Sequence, residues 1–352
     1  MNNINIGSYT VGKACKPMVI AELSGNHNGS LERALKLLEI AKQSGADAVK
    51  LQTYTPDTMT IDCDLPDFKV EGGLWGGKTL YELYQWAHTP WEWHEALFKK
   101  ARELEILIFS SPFDETAVDF LETLAVPAYK IASFEMTDLP LVEYVAKTGK
   151  PLIVSTGMAS LEEIEELVAT VKKTGNEDLI LLHCVSSYPA LHSEYNLHTM
   201  VDLHQRFGVL TGLSDHSLTN VTAISSVALG ACVVEKHFTF SRKDGGPDAA
   251  FSLEPEELGA LCRDVKIAAE TLGKVNYELT AGEQKSKGFR RSIYAVRDIK
   301  EGEVFNLDNI KRIRPGFGLA PKYFTKTLGC RASQDIKRGT PISRVLIAES
   351  SV

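Results

Sequence analysis

Between residues 18 and 238 the chain alternates between short apolar runs and stretches in which apolar residues fall three or four positions apart. The runs are MVIAELS (18–24), AVKLQTY (48–54), ILIFSSP (106–112), AYKIAS (128–133), PLIVSTG (151–157), LILLHCV (179–185), VLTGLSD (209–215) and CVVEKHF (232–238). Their length and β-branched content predict strands, and the stretches between them predict helices. SLERALKLLEIAKQSG (30–45) and SLEEIEELVATVKKTG (160–175) each open on a serine placed to cap the first turn and close on glycine. A further helix is predicted over EPEELGALCRDVKIAAETLG (254–273). Eight strands alternating with helices over roughly 270 residues fit an α/β fold of the (β/α)8 TIM-barrel type. A doubly wound open sheet is the alternative, but the first strand leads into no GxGxxG turn.

Two stretches depart from this rhythm. Residues 55–80 make an unusually long connection containing GGLWGG (72–77), and long connections inside a compact domain are usually functional. Past residue 280 the periodicity gives way to short strands and turns. There Asp298-Ile299-Lys300-Glu301-Gly302 recurs as Asp335-Ile336-Lys337-Arg338-Gly339, so a duplicated β-turn unit is expected. The predicted organisation is a barrel over 1–280, a linker over 281–290 and a small β-rich domain over 291–352.

Composition sharpens this picture in one respect. The net charge of -8 argues against nucleic acid as a partner. That total conceals a basic C-terminal module, whose 12 Lys+Arg against 6 Asp+Glu over 291–352 suit docking on an acidic body or an anionic ligand. No apolar run reaches the roughly 20 residues that span a bilayer, and the N-terminus lacks a secretory apolar core. The six cysteines are scattered without CxxC spacing, which predicts reduced thiols in a cytoplasmic protein and no part in a metal cluster.

In a barrel, polar residues at the carboxyl ends of strands carry the chemistry. Here these are Glu22, Lys50, Gln52, Ser110, Ser111, Lys130, Ser133, Glu135, Ser155, Ser186, Tyr188, Ser214, Asp215, His216, Glu235, Lys236 and His237. Lys50 and Lys130 interrupt apolar strands, and a buried ammonium needs a partner. Either they form structural Lys–Glu pairs, or together with the serines they hold a phosphate or carboxylate. His216 and His237 end adjacent strands, each preceded by an acidic residue able to orient an imidazole. They read as core histidines or as two ligands of an open metal site, with His27 a weaker third. Arg314, in RIRPGFG, is a solvated arginine or a clamp held by the Pro-Gly turn.

These residues sit in motifs that resemble the sialic acid synthase family, whose members condense phosphoenolpyruvate with an amino sugar and end in an antifreeze-like (SAF) domain. The motifs are IAELSGNHNG (20–29), AVKLQTY, FSSPFD (109–114), YKIASFE (129–135), STGMAS (155–160), HCVSSYP (183–189), GLSDHS (212–217), EKHF (235–238), GGPD (245–248) and RPG (314–316). The resemblance implies that Lys50, Ser111, Lys130, Ser133, Ser155, Ser186 and Ser214 hold phosphoenolpyruvate, and that His216 and His237 bind Mn²⁺, with Mg²⁺ or Co²⁺ as alternatives. It places Gln52, Glu135, Asp248 and Arg314 around the sugar, with Lys50 and Lys130 aligning the anion and Glu22 and Tyr188 moving protons. It also implies a domain-swapped homodimer in which Arg314 reaches the partner's sugar. Ser111 and Ser186 depart from the pattern, standing where Thr and Asn are common. GGLWGGKTLYELYQWAHTPWEWH (72–94) and DGGPDAAFSLEP (244–255) are similar to the branch that takes 2,4-diacetamido-2,4,6-trideoxy-L-altrose, and Trp75 is expected to cover the apolar groups of that sugar. Trp91 and Trp93 are expected to pack internally. The sialic and legionaminic branches, a metal-dependent sugar aldolase or isomerase, and an ice-binding protein are the alternatives.

Overall fold

The computed structural model describes residues 3–188 and 190–348. The chain divides into two compact units, Met1–Gly273 and Lys274–Val352.

The first unit begins with an antiparallel hairpin, β1 (Ile4–Ile6) and β2 (Tyr9–Val11), that was not expected from the sequence. Eight parallel strands then close into a barrel: β3 (Met18–Glu22), β4 (Ala48–Thr53), β5 (Leu107–Pro112), β6 (Tyr129–Ile131), β7 (Leu152–Ser155), β8 (Leu179–Cys184), β9 (Leu210–Asp215) and β10 (Val233–His237). Each lies inside one of the apolar runs, and β10 returns to pair with β3. The predicted helices form over Leu31–Gln43, Leu161–Lys173 and Pro255–Leu272. Ser30 and Ser160 cap the first two by accepting the backbone N–H of Arg33 and Glu163, satisfying donors that the helix leaves unpaired.

Strand pleating sorts the core into two shells. Outward residues such as Val49, Leu51, Val154 and Leu181 pack under the helices. Inward residues Met18, Ile20, Ala48, Phe109, Ile153, Ile180 and Val233 fill the barrel, and Ile4, Ile6 and Val11 of the hairpin join them. This apolar plug is the floor on which the inward polar residues stand.

The connection after β4 holds a short helix at Pro56–Met59 and a hairpin-like excursion in which Val70 N–H donates to the Lys78 carbonyl at 2.9 Å. Gly72, Gly73 and Gly77 turn this excursion at φ of +69°, +68° and +89°, a conformation that side chains disfavour. Trp75 sits at its tip.

In the second unit β11 (Ser292–Ala295) pairs antiparallel with β12 (Ile310–Ile313). The duplicated pentapeptides bind each other. Ile299 and Ile336 exchange both backbone hydrogen bonds at 2.8 Å. Lys300 pairs with Asp335 at 2.7 Å and Lys337 with Asp298 at 2.9 Å, so each copy makes the same contact to the other. Residues 281–286 form a short helix. Among the described residues no helix is long and apolar enough to cross a membrane.

Candidate active site

Every second residue of a barrel strand faces inward, and near the carboxyl ends those residues become polar. Lys50 and Gln52 follow Ala48 on β4, Ser111 follows Phe109 on β5, and Glu235 and His237 follow Val233 on β10. All of these polar residues but Ser111 line a cavity of about 380 Å³, whose lining includes Lys50, Gln52, Trp75, Lys130, Ser133, Glu135, Ser155, Tyr188, Ser214, His216, Glu235, His237 and Asp248.

Four buried charges organise its base. Lys50 Nζ lies 2.9 Å from Glu22 Oε2 and 3.5 Å from Glu235 Oε1, while Lys130 Nζ lies 4.0 Å from that same Glu235 oxygen. Both lysines therefore have carboxylate partners, and both also face hydroxyls: Lys130 Nζ donates to Ser155 Oγ at 2.6 Å and Lys50 Nζ to Ser111 Oγ at 3.3 Å. Burial opposes the charge on Lys50, but Glu22 and Glu235 outweigh it and hold the ammonium above its ordinary range. Burial lowers Lys130, and the neighbouring Lys50 adds to that effect against the pull of Glu235. At Glu235 burial is overcome by Lys130 and Lys50, which keep the carboxylate ionised, whereas at Glu22 burial prevails over Lys50 and raises the carboxyl. Gln52 Nε2 donates to Glu22 Oε1 at 2.9 Å.

A group of hydroxyls gathers at Ser133 and Ser186. Ser133 Oγ accepts the Gly157 N–H at 3.1 Å, and Gly157 leaves no room for a Cβ beside the hydroxyls of Ser133 and Ser186. Ser186 Oγ is also 3.8 Å from Cys184 Sγ.

The two histidines face each other with ring centroids 5.3 Å apart. Asp215, the acid directly before His216, does not touch that ring itself. Asp215 lies on the outer face of β9, paired with Lys236, because adjacent residues of a strand point to opposite sides. His216 is held by the Val185 carbonyl, 3.0 Å from Nδ1, leaving Nε2 toward the cavity side occupied by Cys184. Cys184 lines the cavity, and its thiol is held at about 7 by His216, Ser133 and Lys130 against the effect of burial. His237 is kept neutral by burial and by the cations around it, and its Nδ1 has no hydrogen-bond partner. Asp248 Oδ2, which accepts from the Ser24 hydroxyl, stands 3.8 Å from that nitrogen. A neutral imidazole with an unused lone pair beside a carboxylate suits a divalent cation with two protein ligands and an open shell. Among the described residues no group of three or more His, Cys, Asp or Glu is placed to hold a metal ion. His27 is elsewhere, with Nδ1 accepting the Gly29 N–H at 3.1 Å and its ring against Trp93.

Aromatic rings wall the other side. Tyr188 lies 4.5 Å from His216 and 4.9 Å from Phe251, and Trp75 approaches Tyr188 at 5.7 Å. Trp75 Nε1 donates to the Pro247 carbonyl at 2.6 Å, which pins the glycine-rich excursion over the cavity. Trp91 stacks on Phe120 at 4.8 Å, and Trp93 packs on the barrel core, as expected of internal residues. Ser24, Cys184 and Phe251 were missed as site residues; Phe251 lies in a loop turn whose apolar sequence carries no signal of its own. Arg314 is in the second unit, exposed just after β12.

Glu135 is half-buried with Oε2 unpartnered, and burial raises its carboxyl to about 7. A raised folded-state value means that its contribution to stability is present below about pH 4.5 and is lost as pH rises through about 7. Wild-type protein is therefore expected to lose up to about 3 kcal/mol between pH 5 and pH 8 relative to Glu135→Gln. Urea unfolding of both at the two pH values measures the difference; parallel curves would refute the assignment.

A barrel carrying buried ammoniums, hydroxyls and paired histidines at its carboxyl mouth has its polar residues where barrel enzymes carry their chemistry. The chain belongs to the NeuB family, whose model matches residues 37–277, and an SAF domain follows over 290–347. It is 46% identical over 341 residues to the pseudaminic acid synthase of Campylobacter jejuni subsp. jejuni serotype O:2, covering 97% of this chain and 99% of that one. Identity to the pseudaminic acid synthase of Helicobacter pylori is 43%, over 93% of this chain and 96% of that one. The crystal structure of the N-acetylneuraminic acid synthetase of Leptospira borgpetersenii, in complex with citrate, superposes with a TM-score of 0.73 at 32% identity. That match covers 81% of this chain and 95% of the other.

Proposed function

We propose that this chain condenses phosphoenolpyruvate with 2,4-diacetamido-2,4,6-trideoxy-L-altrose and water to give pseudaminic acid and inorganic phosphate. The observation that carries the reading is the two-fold make-up of the cavity's lining: two buried ammoniums with serines as one set, and Met59, Val70, Leu80, Leu83 and Phe113 as another. An anion fits the first, and a sugar bearing a 6-methyl and two acetamido methyls fits the second. Identities of 46% and 43% to two pseudaminic acid synthases support the branch.

In this reading Lys50 and Lys130 hold phosphoenolpyruvate, with Ser111, Ser133, Ser155, Ser186 and Ser214 bonding its oxygens. The ammoniums align its C3 with the aldehyde carbon of the open-chain sugar, where the new C–C bond forms. Water then adds at C2, and the C2–O bond to phosphate breaks. The aldehyde oxygen gains a proton and the attacking water loses one; Glu22, raised by burial and bonded to the cavity-lining Gln52, and Tyr188, which lines the cavity, are assigned to move them. A divalent metal held by His216 and His237, with Mn²⁺ the proposed ion, would supply Lewis-acid polarisation of the sugar carbonyl. Gln52, Trp75, Glu135 and Asp248 contact the sugar. The protein acts in the cytoplasm as a homodimer, with Arg314 of one copy reaching the sugar of the other. Phe134, Met158, Leu191 and Val221, exposed in the segments after β6 to β9, are apolar side chains that a second copy would cover.

Phosphate release from phosphoenolpyruvate with Mn²⁺ tests the function, comparing the altrose-configured sugar with N-acetylmannosamine and the legionaminic precursor. Selective turnover of the first is expected. Turnover of another sugar would keep the chemistry and discard the branch, and no phosphate with any would return the protein to the aldolase reading. On the same assay Trp75→Ala is expected to raise KM for the sugar about tenfold, as loss of one aromatic wall, with KM for phosphoenolpyruvate unchanged. Equal rises in both constants would contradict a sugar-facing role.

A further inference from the structure

A second polar cluster lies behind the site, on the outer face of the barrel, and no step above uses it. Asp215 of β9 and Lys236 of β10 are neighbours in register, and each is 1% exposed. Lys236 Nζ donates to Asp215 Oδ2 at 2.7 Å, to Ser217 Oγ at 3.2 Å, to the Ser217 carbonyl, and to the Thr219 carbonyl at 3.4 Å. The other Asp215 oxygen accepts the Tyr195 hydroxyl at 2.5 Å and the Ser217 N–H at 2.9 Å. That hydroxyl in turn accepts the backbone N–H of His216 at 3.1 Å. The residues on both sides of His216, and its own N–H, are thus tied to one buried ion pair.

An ion pair this deep is seldom better for stability than an apolar pair of the same volume, so its placement calls for another use. The connection after β9 leaves the barrel here with no regular structure until Val221, and a histidine on such a segment would otherwise swing freely. We propose that Tyr195, Asp215 and Lys236 are positioning residues that fix the His216 imidazole for metal binding. Tyr195 comes from the connection after β8, the same connection whose Val185 carbonyl holds the ring at Nδ1. The β8 and β9 connections therefore grip His216 together, at the backbone and at the ring. The proposal rests on the metal reading of the site.

Tyr195→Phe is the discriminating change. It removes the oxygen that accepts the His216 N–H, but Asp215 keeps Lys236 and the Ser217 N–H, so no buried charge is stranded. Mn²⁺ is titrated into the full chain, and the free ion is followed by its electron paramagnetic resonance signal without substrate. The variant is expected to bind Mn²⁺ 10- to 100-fold more weakly, the usual effect of losing a partner that orients a metal ligand. Should that variant fail to fold, Ser217→Ala, which takes one oxygen from Lys236, is read in the same way, with a several-fold weakening expected. A folded variant with wild-type Mn²⁺ affinity, even one with a lowered Tm, would overturn the positioning role. A wild-type chain that binds no Mn²⁺ would overturn the metal reading and this proposal with it.

Discussion

Lys50→Met is expected to lower phosphate release by about 10²–10³-fold and to destabilise the protein by about 3–5 kcal/mol. Among the described residues Lys50 is the one cation that touches both Glu22 and Glu235, at 2.9 and 3.5 Å. Methionine fills the same volume but leaves the carboxylates of β3 and β10 facing an apolar atom. Glu235 retains Lys130 at 4.0 Å, whereas Glu22 keeps only the Gln52 amide. Glu22 already lies above its ordinary value through burial, and losing Lys50 raises it further. A carboxyl raised in the folded state favours stability at acid pH and loses that contribution as pH rises. The deficit of the variant should therefore be smaller at pH 5 than at pH 8. Urea denaturation at both values, with phosphate release at neutral pH, checks the account. A stability deficit that does not depend on pH, or activity within threefold of wild type, would contradict it.

His237→Ala is expected to abolish turnover, by about 10³-fold or more, while leaving the fold intact. The contrast with Lys50 follows from charge. The imidazole is neutral, its Nδ1 bonds to nothing, and its removal strands no partner. The floor of the barrel beneath it, Val233 and the plug around it, is untouched. Stability should fall only by the lost packing on Phe251, whose ring lies 4.9 Å away. Circular dichroism and thermal unfolding report the fold, and phosphate release across Mn²⁺ concentrations reports the site. Near-normal activity at saturating Mn²⁺ would remove His237 from the metal centre.

Which parts of this arrangement were legible in advance has a physical pattern. The eight strands appear in the sequence because a strand buried on both faces must be apolar throughout, and a turn must punctuate it. Lys50 and Lys130 were conspicuous for the same reason: a charge inside such a run has to be matched. The long connection with Trp75 was visible from its length and glycines. Misreadings arose where a local motif suggested a contact that the pleat forbids. Asp215 and His216 are adjacent in sequence but point to opposite sides of the wall, so the acid ties down the segment and never meets the ring. Cys184 and Phe251 gave no signal, because an apolar or thiol side chain becomes part of a site only through its neighbours.

The alternation of apolar runs and amphipathic stretches by itself determined the barrel, the position of its mouth and the demand that two lysines find carboxylates, since those follow from solvation along the chain. Only the tertiary structure decided that Glu22, Glu235 and the two lysines share one network, that His237 is left with an open nitrogen, and that the two pentapeptide repeats clasp each other. Those outcomes depend on barrel closure, which brings β10 beside β3 across more than 200 residues of chain, and no local pattern encodes the register in which distant strands meet.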